Sequence, residues 1–302
     1  MATMNLKFWG VRGSIPTPGK QTVRYGGNTP CLELRLDDDE LVIFDAGTGI
    51  RNFGDEMMNS GASLNAHLLI THPHWDHIQG FPFFKPAFIS GNELTILCTD
   101  RIGKSLSEII SEQMDRIYFP VQLHELKAKI NFKPIREEGE IQLRGCKVRA
   151  MYVNHPGFTV GYRLEYKGKT LVYISDNEPY DRKVAASLSN FEPIVKGLFD
   201  AQKGDPNQRV FDFCRGADLL LHDATYTPEE YIDRVGWGHS HYLFALRVAA
   251  EADVKKLILF HHEPTHSDDK IDDILRKCKA EVHNRRYKFE IDAAAEGMVV
   301  SI

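Results

Sequence analysis

The chain has 302 residues, 42% of them hydrophobic, enough to bury a substantial core; this excludes a disordered tail or a disulfide-stapled miniature. Its 37 Lys and Arg against 42 Asp and Glu leave a formal charge of −5. That balance lacks the basic footprint of a protein that lives on nucleic acid, so composition argues against a nucleic-acid partner and leaves small anionic substrates open.

Cys31, Cys98, Cys146, Cys214 and Cys278 are widely spaced and form no CxxC pair. They read as buried thiols in a reducing compartment, not as a disulfide framework or a thiolate zinc site. The opening MATMNLKFWG runs straight into a strand-like segment with no charged-then-apolar leader, and no apolar stretch approaches the ~20 residues that span a bilayer. A cytoplasmic protein with no membrane partner is expected.

In chain order, short apolar runs bounded by Gly, Asn, Asp or Pro predict strands at Leu6–Trp9, Cys31–Leu36, Leu41–Asp45, Leu68–Thr71 and Leu94–Cys98. From Arg101 to Arg116 the spacing of Leu106, Ile109, Ile110 and Met114 predicts a helix. Strands follow at Ile130–Ile135, Ile141–Asn154, Phe158–Tyr166 and Thr170–Asp176, with a hairpin turning on Lys167-Gly168-Lys169. Residues 181–202 read as helical. Beyond them strand and helix alternate: strand Leu219–His222, helix 240–252 with Leu243, Leu246 and Ala250 on its apolar face, strand Lys256–Phe260, helix 268–282, and strands Lys288–Asp292 and Met298–Ile302. The pattern predicts sheets covered by helices in one α/β domain over residues 1–302, with extra length near 100–140 and 177–215. Tyr118, Phe119, Tyr180, Phe191 and Phe199 in these stretches suit a cap or a dimer contact, and a homodimer is the default assembly.

The densest chemistry lies in His72-Pro73-His74-Trp75-Asp76-His77, directly after an apolar strand. Three imidazoles and a carboxylate suit zinc, and also manganese or iron. Pro73 excludes a single helix, and a turn there can aim His72 and His74 one way and Asp76 and His77 another, as two ions require.

This THxHxDH segment resembles the metallo-β-lactamase superfamily, and the family's other motifs follow in order: Asp45 in Phe44-Asp45-Ala46-Gly47, His155 in Asn154-His155-Pro156, Asp176 ending Tyr173-Ile174-Ser175-Asp176, and His261 after Leu259-Phe260. The resemblance implies an αβ/βα four-layer sandwich, two mixed β-sheets flanked by helices. It also implies two divalent metal ions, Zn2+ in the first place with Mn2+ or Fe2+ as alternatives. One ion would take His72, His74 and His155, the second Asp76, His77 and His261, with Asp176 bridging. Asp45 would brace the ligand loop through hydrogen bonds, and His262 competes with His261 for the last position. His67, His124 and His283 fall outside the motifs and read as surface residues.

Within the superfamily, His222-Asp223-Ala224-Thr225 and Gly238-His239-Ser240 resemble the "HEAT" and "HST" segments of tRNase Z and related phosphodiesterases, with Asp223 replacing Glu, and Phe8-Trp9-Gly10-Val11-Arg12-Gly13-Ser14 resembles that branch's Gly-rich first turn. Arg12 there stands where it could meet a phosphate or simply be solvated. A phosphodiester makes sense of these parts. Two cations lower the pKa of a bridging water and neutralise charge on the phosphoryl group, with Asp76 among the catalytic residues, and His239, held by Asp223, protonates the leaving oxygen. His155 and Asp176 are only 21 residues apart, which leaves no room for the tRNA-gripping arm of tRNase Z. The leading expectation is therefore a phosphodiesterase acting on a small cyclic nucleotide. A nuclease of tRNase Z type and a non-catalytic metal-binding sensor are the alternatives.

Overall fold

A computed structural model describes residues 4–37, 40–99, 104–187 and 192–302. The expected start of a helix at Arg101, and Phe191, lie outside the described residues. The chain forms two compact units, one running to Arg136 and completed by Ala295–Ser301, the other spanning Glu137–Ala294.

The first unit holds strands β1 (Met4–Gly10), β2 (Cys31–Leu36) and β3 (Leu41–Phe44), helix α1 (Gly49–Ser60), β4 (Asn65–Leu69), the short helix α2 (Trp75–Ile78), β5 (Glu93–Cys98), α3 (Leu106–Gln113) and β6 (Lys129–Pro134). Its seven-stranded sheet has the order Val299–Ser301, β1, β2, β3, β4, β5, β6. Pairing is antiparallel as far as β3 and parallel beyond it. Each parallel junction needs a crossover, and α1, α2 and α3 lie in the three crossovers. Helix α1 buries Ile50, Phe53 and Met57, a three- and four-residue spacing, into a core shared with Ile43, Leu68 and Ile96. Leu106 and Ile110 of α3 and Met114 directly after it are buried, and Ser105 with Glu108 forms a reciprocal capping box.

The second unit holds β7 (Glu140–Leu143), β8 (Cys146–Tyr152), β9 (Val160–Tyr166), β10 (Lys169–Ile174), helices α4 (Arg182–Ser187), α5 (Pro193–Asp200) and α6 (Gln208–Cys214), β11 (Leu219–Asp223), α7 (Pro228–Ile232), α8 (Tyr242–Glu251), β12 (Lys256–Phe260), α9 (Asp268–Arg285) and β13 (Glu290–Ala293). Its sheet runs in sequence from β7 to β13, antiparallel to β10 and parallel afterwards. The fold is α/β, with two mixed sheets that carry helices.

Several local expectations change. The run Ile141–Asn154 is two strands, because Arg144 and Gly145 adopt positive φ values of 39° and 87° and turn the chain into a hairpin. The single helix over 181–202 is two, α4 and α5, with Pro193 opening the second. The buried side of α8 comprises Tyr242, Phe244, Ala245, Leu246, Val248 and Ala249, so Leu243 and Ala250 stand at its margin. Arg12 is neither solvated nor open to a ligand: it is fully buried, and its Nε donates to the Gly26 carbonyl at 2.9 Å, closing the loop between β1 and β2. His67 is half-buried, with its Nδ1 2.8 Å from Glu40. All five cysteines are buried. Among the described residues no helix is long and apolar enough to cross a membrane.

Candidate metal centre

In both units the candidate ligands sit mainly where parallel strands end, the usual place for ligands in open α/β sheets. In the first unit β3 delivers Asp45 and β4 delivers the segment from His72 to His77. Asp45 is fully buried with a left-handed backbone, φ 57°, a conformation a non-glycine residue adopts at some cost. Its Oδ1 accepts the Thr71 amide at 2.7 Å, the Thr71 hydroxyl lies 3.0 Å away, and its Oδ2 is 2.9 Å from His77 Nδ1. With Nδ1 donating to the carboxylate, the lone pair of His77 sits on Nε2, 3.3 Å from Asp76 Oδ2. The His72 ring packs 4.4 Å from His74 and 4.3 Å from His77, so three imidazoles converge while His74 alone stays exposed. Asp76 Oδ2 also accepts the Ser14 amide at 2.7 Å.

The second unit assembles His155, Asp176, Asp223, His239 and His261. Asp176 follows β10, Asp223 ends β11, His261 follows β12, and His239 lies in the loop leading into α8. Asp176 is 2% exposed, with Oδ2 3.5 Å from His261 Nε2 and 3.8 Å from both His155 Nε2 and His239 Nδ1. These separations exceed hydrogen-bonding distance. The separations to His155 and His261 are close to those between donor atoms of a tetrahedral zinc, about 3.4 Å when each bond is about 2.05 Å, whereas His239 Nδ1 is turned to Asp223. The far nitrogens are engaged elsewhere. His155 Nδ1 donates to the Gly238 carbonyl at 2.8 Å, and His261 Nδ1 lies 3.1 Å from the Thr225 hydroxyl. His261 shares the left-handed conformation of Asp45, with φ 60°. Its neighbour His262 turns Nε2 to the Ala294 carbonyl at 2.8 Å, and His266 lies 3.0 Å from Glu230.

Asp223 and His239 are in contact, Oδ2 to Nδ1 at 3.1 Å. The carboxylate is fully buried and also accepts the Asn177 amide at 3.0 Å, the Thr225 amide at 3.0 Å and the Thr225 hydroxyl at 2.8 Å. Burial alone would push its pKa up, but the charge and hydrogen bond of His239 hold it below the usual carboxylate range. The His239 ring stacks on His261 with centroids 4.8 Å apart. His222, beside Asp223 in the strand, is fully buried, with Nδ1 2.8 Å from the Asp223 carbonyl, and burial lowers its pKa. Two imidazole-rich donor sets with their outer nitrogens fixed fit a borderline divalent cation well.

Sequence reasoning missed one supporting group, Glu178. It is 2% exposed and accepts the Tyr231 hydroxyl at 2.8 Å, the Gly236 amide at 2.7 Å and the Gly238 amide at 2.8 Å. Through Gly238, whose carbonyl receives His155 Nδ1, it holds the loop that carries His239. Desolvation raises its pKa in spite of these bonds. Its only signal in the sequence is proximity to Asp176.

Residues 41–205, more than half of the chain, match the family described as "Beta-lactamase superfamily domain". Ribonuclease Z of Thermoplasma acidophilum is 25% identical over 298 residues, covering 89% of this chain and 90% of that protein. Ribonuclease Z of Staphylococcus carnosus is 26% identical over 320 residues, covering 96% and 98%. The crystal structure of the metallo-beta-lactamase fold protein YhfI from Bacillus subtilis superposes with a TM-score of 0.68 at 17% identity over 100% of both chains. The chain belongs to the metallo-β-lactamase superfamily, and within it is a metal-dependent hydrolase.

Proposed function

We propose that this protein is a dinuclear phosphodiesterase that cleaves RNA, a nuclease of the ribonuclease Z kind. The observation that carries the reading is the buried Asp223 held against His239 beside Asp176, in a chain similar over almost its whole length to proteins called Ribonuclease Z. The charge balance spoke against a nucleic-acid partner, but net charge sums the whole surface and says little about one cleft. The five buried thiols support a cytoplasmic setting.

In this reading the residues that would hold the cations are His72, His74, Asp76 and His77 of the first unit and His155, Asp176 and His261 of the second. Bound there, divalent cations supply Lewis acidity toward water and the phosphoryl oxygens. The chain's own residues do the rest. Asp45 and the Gly238 carbonyl fix the tautomers of His77 and His155, which leaves the Nε2 lone pair of each as the one a cation would take. Asp223 fixes His239 through Nδ1, which leaves Nε2–H to protonate the departing oxygen.

A second reading, hydrolysis of a small cyclic nucleotide, is favoured by the stretch between His155 and Asp176. Its 21-residue span is taken up by a loop and the β9–β10 hairpin, which leaves no arm to grip a folded RNA. One assay separates the readings: zinc- or manganese-loaded protein is offered precursor tRNA, unstructured RNA, and 3′,5′-cyclic AMP and GMP. Turnover of RNA supports the proposal. Turnover of cyclic nucleotides alone replaces it with the second reading, and silence toward all of them favours a metal-binding module without turnover.

A further inference from the structure

Tryptophan carries one of the largest apolar surfaces of any side chain, and an indole left in water forgoes its burial. Two of the three tryptophans are nevertheless turned outward: Trp75 is 80% exposed and Trp237 is 62% exposed. Both adjoin candidate site residues, Trp75 standing between His74 and Asp76 and Trp237 two positions before His239.

In α2 the usual ordering by polarity is inverted. Asp76 and His77 are buried with Ile78, while the indole that opens the helix lies outside. Around Trp237 the outward position is built by a clamp. Glu178 accepts the Gly236 amide on Oε1 at 2.7 Å and the Gly238 amide on Oε2 at 2.8 Å, so one buried carboxylate draws in the backbone on both sides of the indole. Gly236 and Gly238 take φ values of 88° and 90°, which let the chain turn inward twice with Trp237 between the turns. The backbone beneath this aromatic face is therefore held in place before any ligand arrives, and holding it in advance reduces the ordering cost of binding.

We infer that Trp75 and Trp237 are stacking positions for the nucleobases of the substrate. The inference rests on the phosphodiesterase reading for its substrate class. Stacking of a base on an aromatic side chain tolerates any sequence, and losing one such platform weakens binding by about tenfold or more.

The test compares cleavage of a short single-stranded RNA with cleavage of the same strand carrying abasic riboses, for the metal-loaded parent and for Trp75→Ala, Trp237→Ala, Trp75→Phe and Trp237→Phe. The expected result is that each alanine variant lowers the preference in kcat/KM for the base-bearing strand by about tenfold, through KM, and that each phenylalanine variant recovers most of it. An unchanged preference in both alanine variants overturns the inference, as does a phenylalanine variant as impaired as its alanine counterpart. Failure of the parent to cleave either strand counts against the phosphodiesterase reading alone, and fluorescence anisotropy of the end-labelled RNA then decides the inference. Binding that weakens about tenfold in the alanine variants upholds it, and binding that is absent in the parent or equal in all variants overturns it.

Discussion

Replacing His239 with alanine tests the proton-donor role most directly. The side chain is 11% exposed, its Nδ1 lies 3.1 Å from Asp223, and its ring stacks on His261. A positioned general acid contributes on the order of 10²–10⁴ in rate, equivalent to about 2.7–5.4 kcal/mol of barrier at 1.36 kcal/mol per decade. Asp223 keeps the Asn177 amide and both Thr225 donors after the change, so the folding cost is that of one hydrogen bond to a charged group, about 1.5–3 kcal/mol. The variant is therefore expected to fold and to bind two metal ions. Its rate should fall 10²–10⁴-fold on a diester with an alkoxide leaving group and far less on a nitrophenyl diester, whose leaving group departs without a proton. The assay is paired single-turnover rates on the two substrates, with metal content measured on the same samples. Equal losses on both substrates, or a parental rate on the alkyl diester, would refute the assignment.

The ligand assignments carry their own checks. His261→Ala is expected to leave one metal equivalent in place of two by elemental analysis, whereas His262→Ala, which removes a bond to the Ala294 carbonyl, should retain both. A β-carbon on Gly238 would stand 2.4 Å from His155 Nδ1 at a φ of 90°, so Gly238→Ala should lower unfolding free energy by about 2 kcal/mol in urea titration and weaken metal binding about 10–100-fold. Asp218 gives a pH signature remote from the site. Burial raises its pKa, but Lys255 at 2.7 Å and the Thr170 amide at 2.8 Å outweigh this and hold it below the usual value. A depressed folded-state pKa stabilises the fold above the unfolded value near ~3.9 and loses that contribution as pH falls through the folded value. Asp218→Asn should therefore flatten the fall in denaturation midpoint on acidification from about pH 5, and an unchanged slope would contradict the ion-pair account.

The chain's own order of residues determined a good deal by itself. The strand ends that carry Asp45, His72–His77, Asp176 and His261 were legible because each is a local signal, an apolar run stopping at a polar donor, and such a run reads the same in isolation as in the fold. The parallel half of the second sheet was legible for the same reason, since strands and helices alternate there. Other features were settled only by tertiary structure. Helix α1 gave no warning, because Gly49, Gly54 and six polar residues dilute a buried face of three large side chains. The last strand pairs with β1 across almost the whole length of the chain. Which nitrogen of each histidine is left to face a metal depends on partners far away in sequence, Asp45 for His77 and Gly238 for His155. Glu178, Arg12 and the outward tryptophans look ordinary in a linear reading. Burial and hydrogen bonding are properties of the packed environment, and only the fold could bury the carboxylate and the guanidinium while leaving two indoles in water.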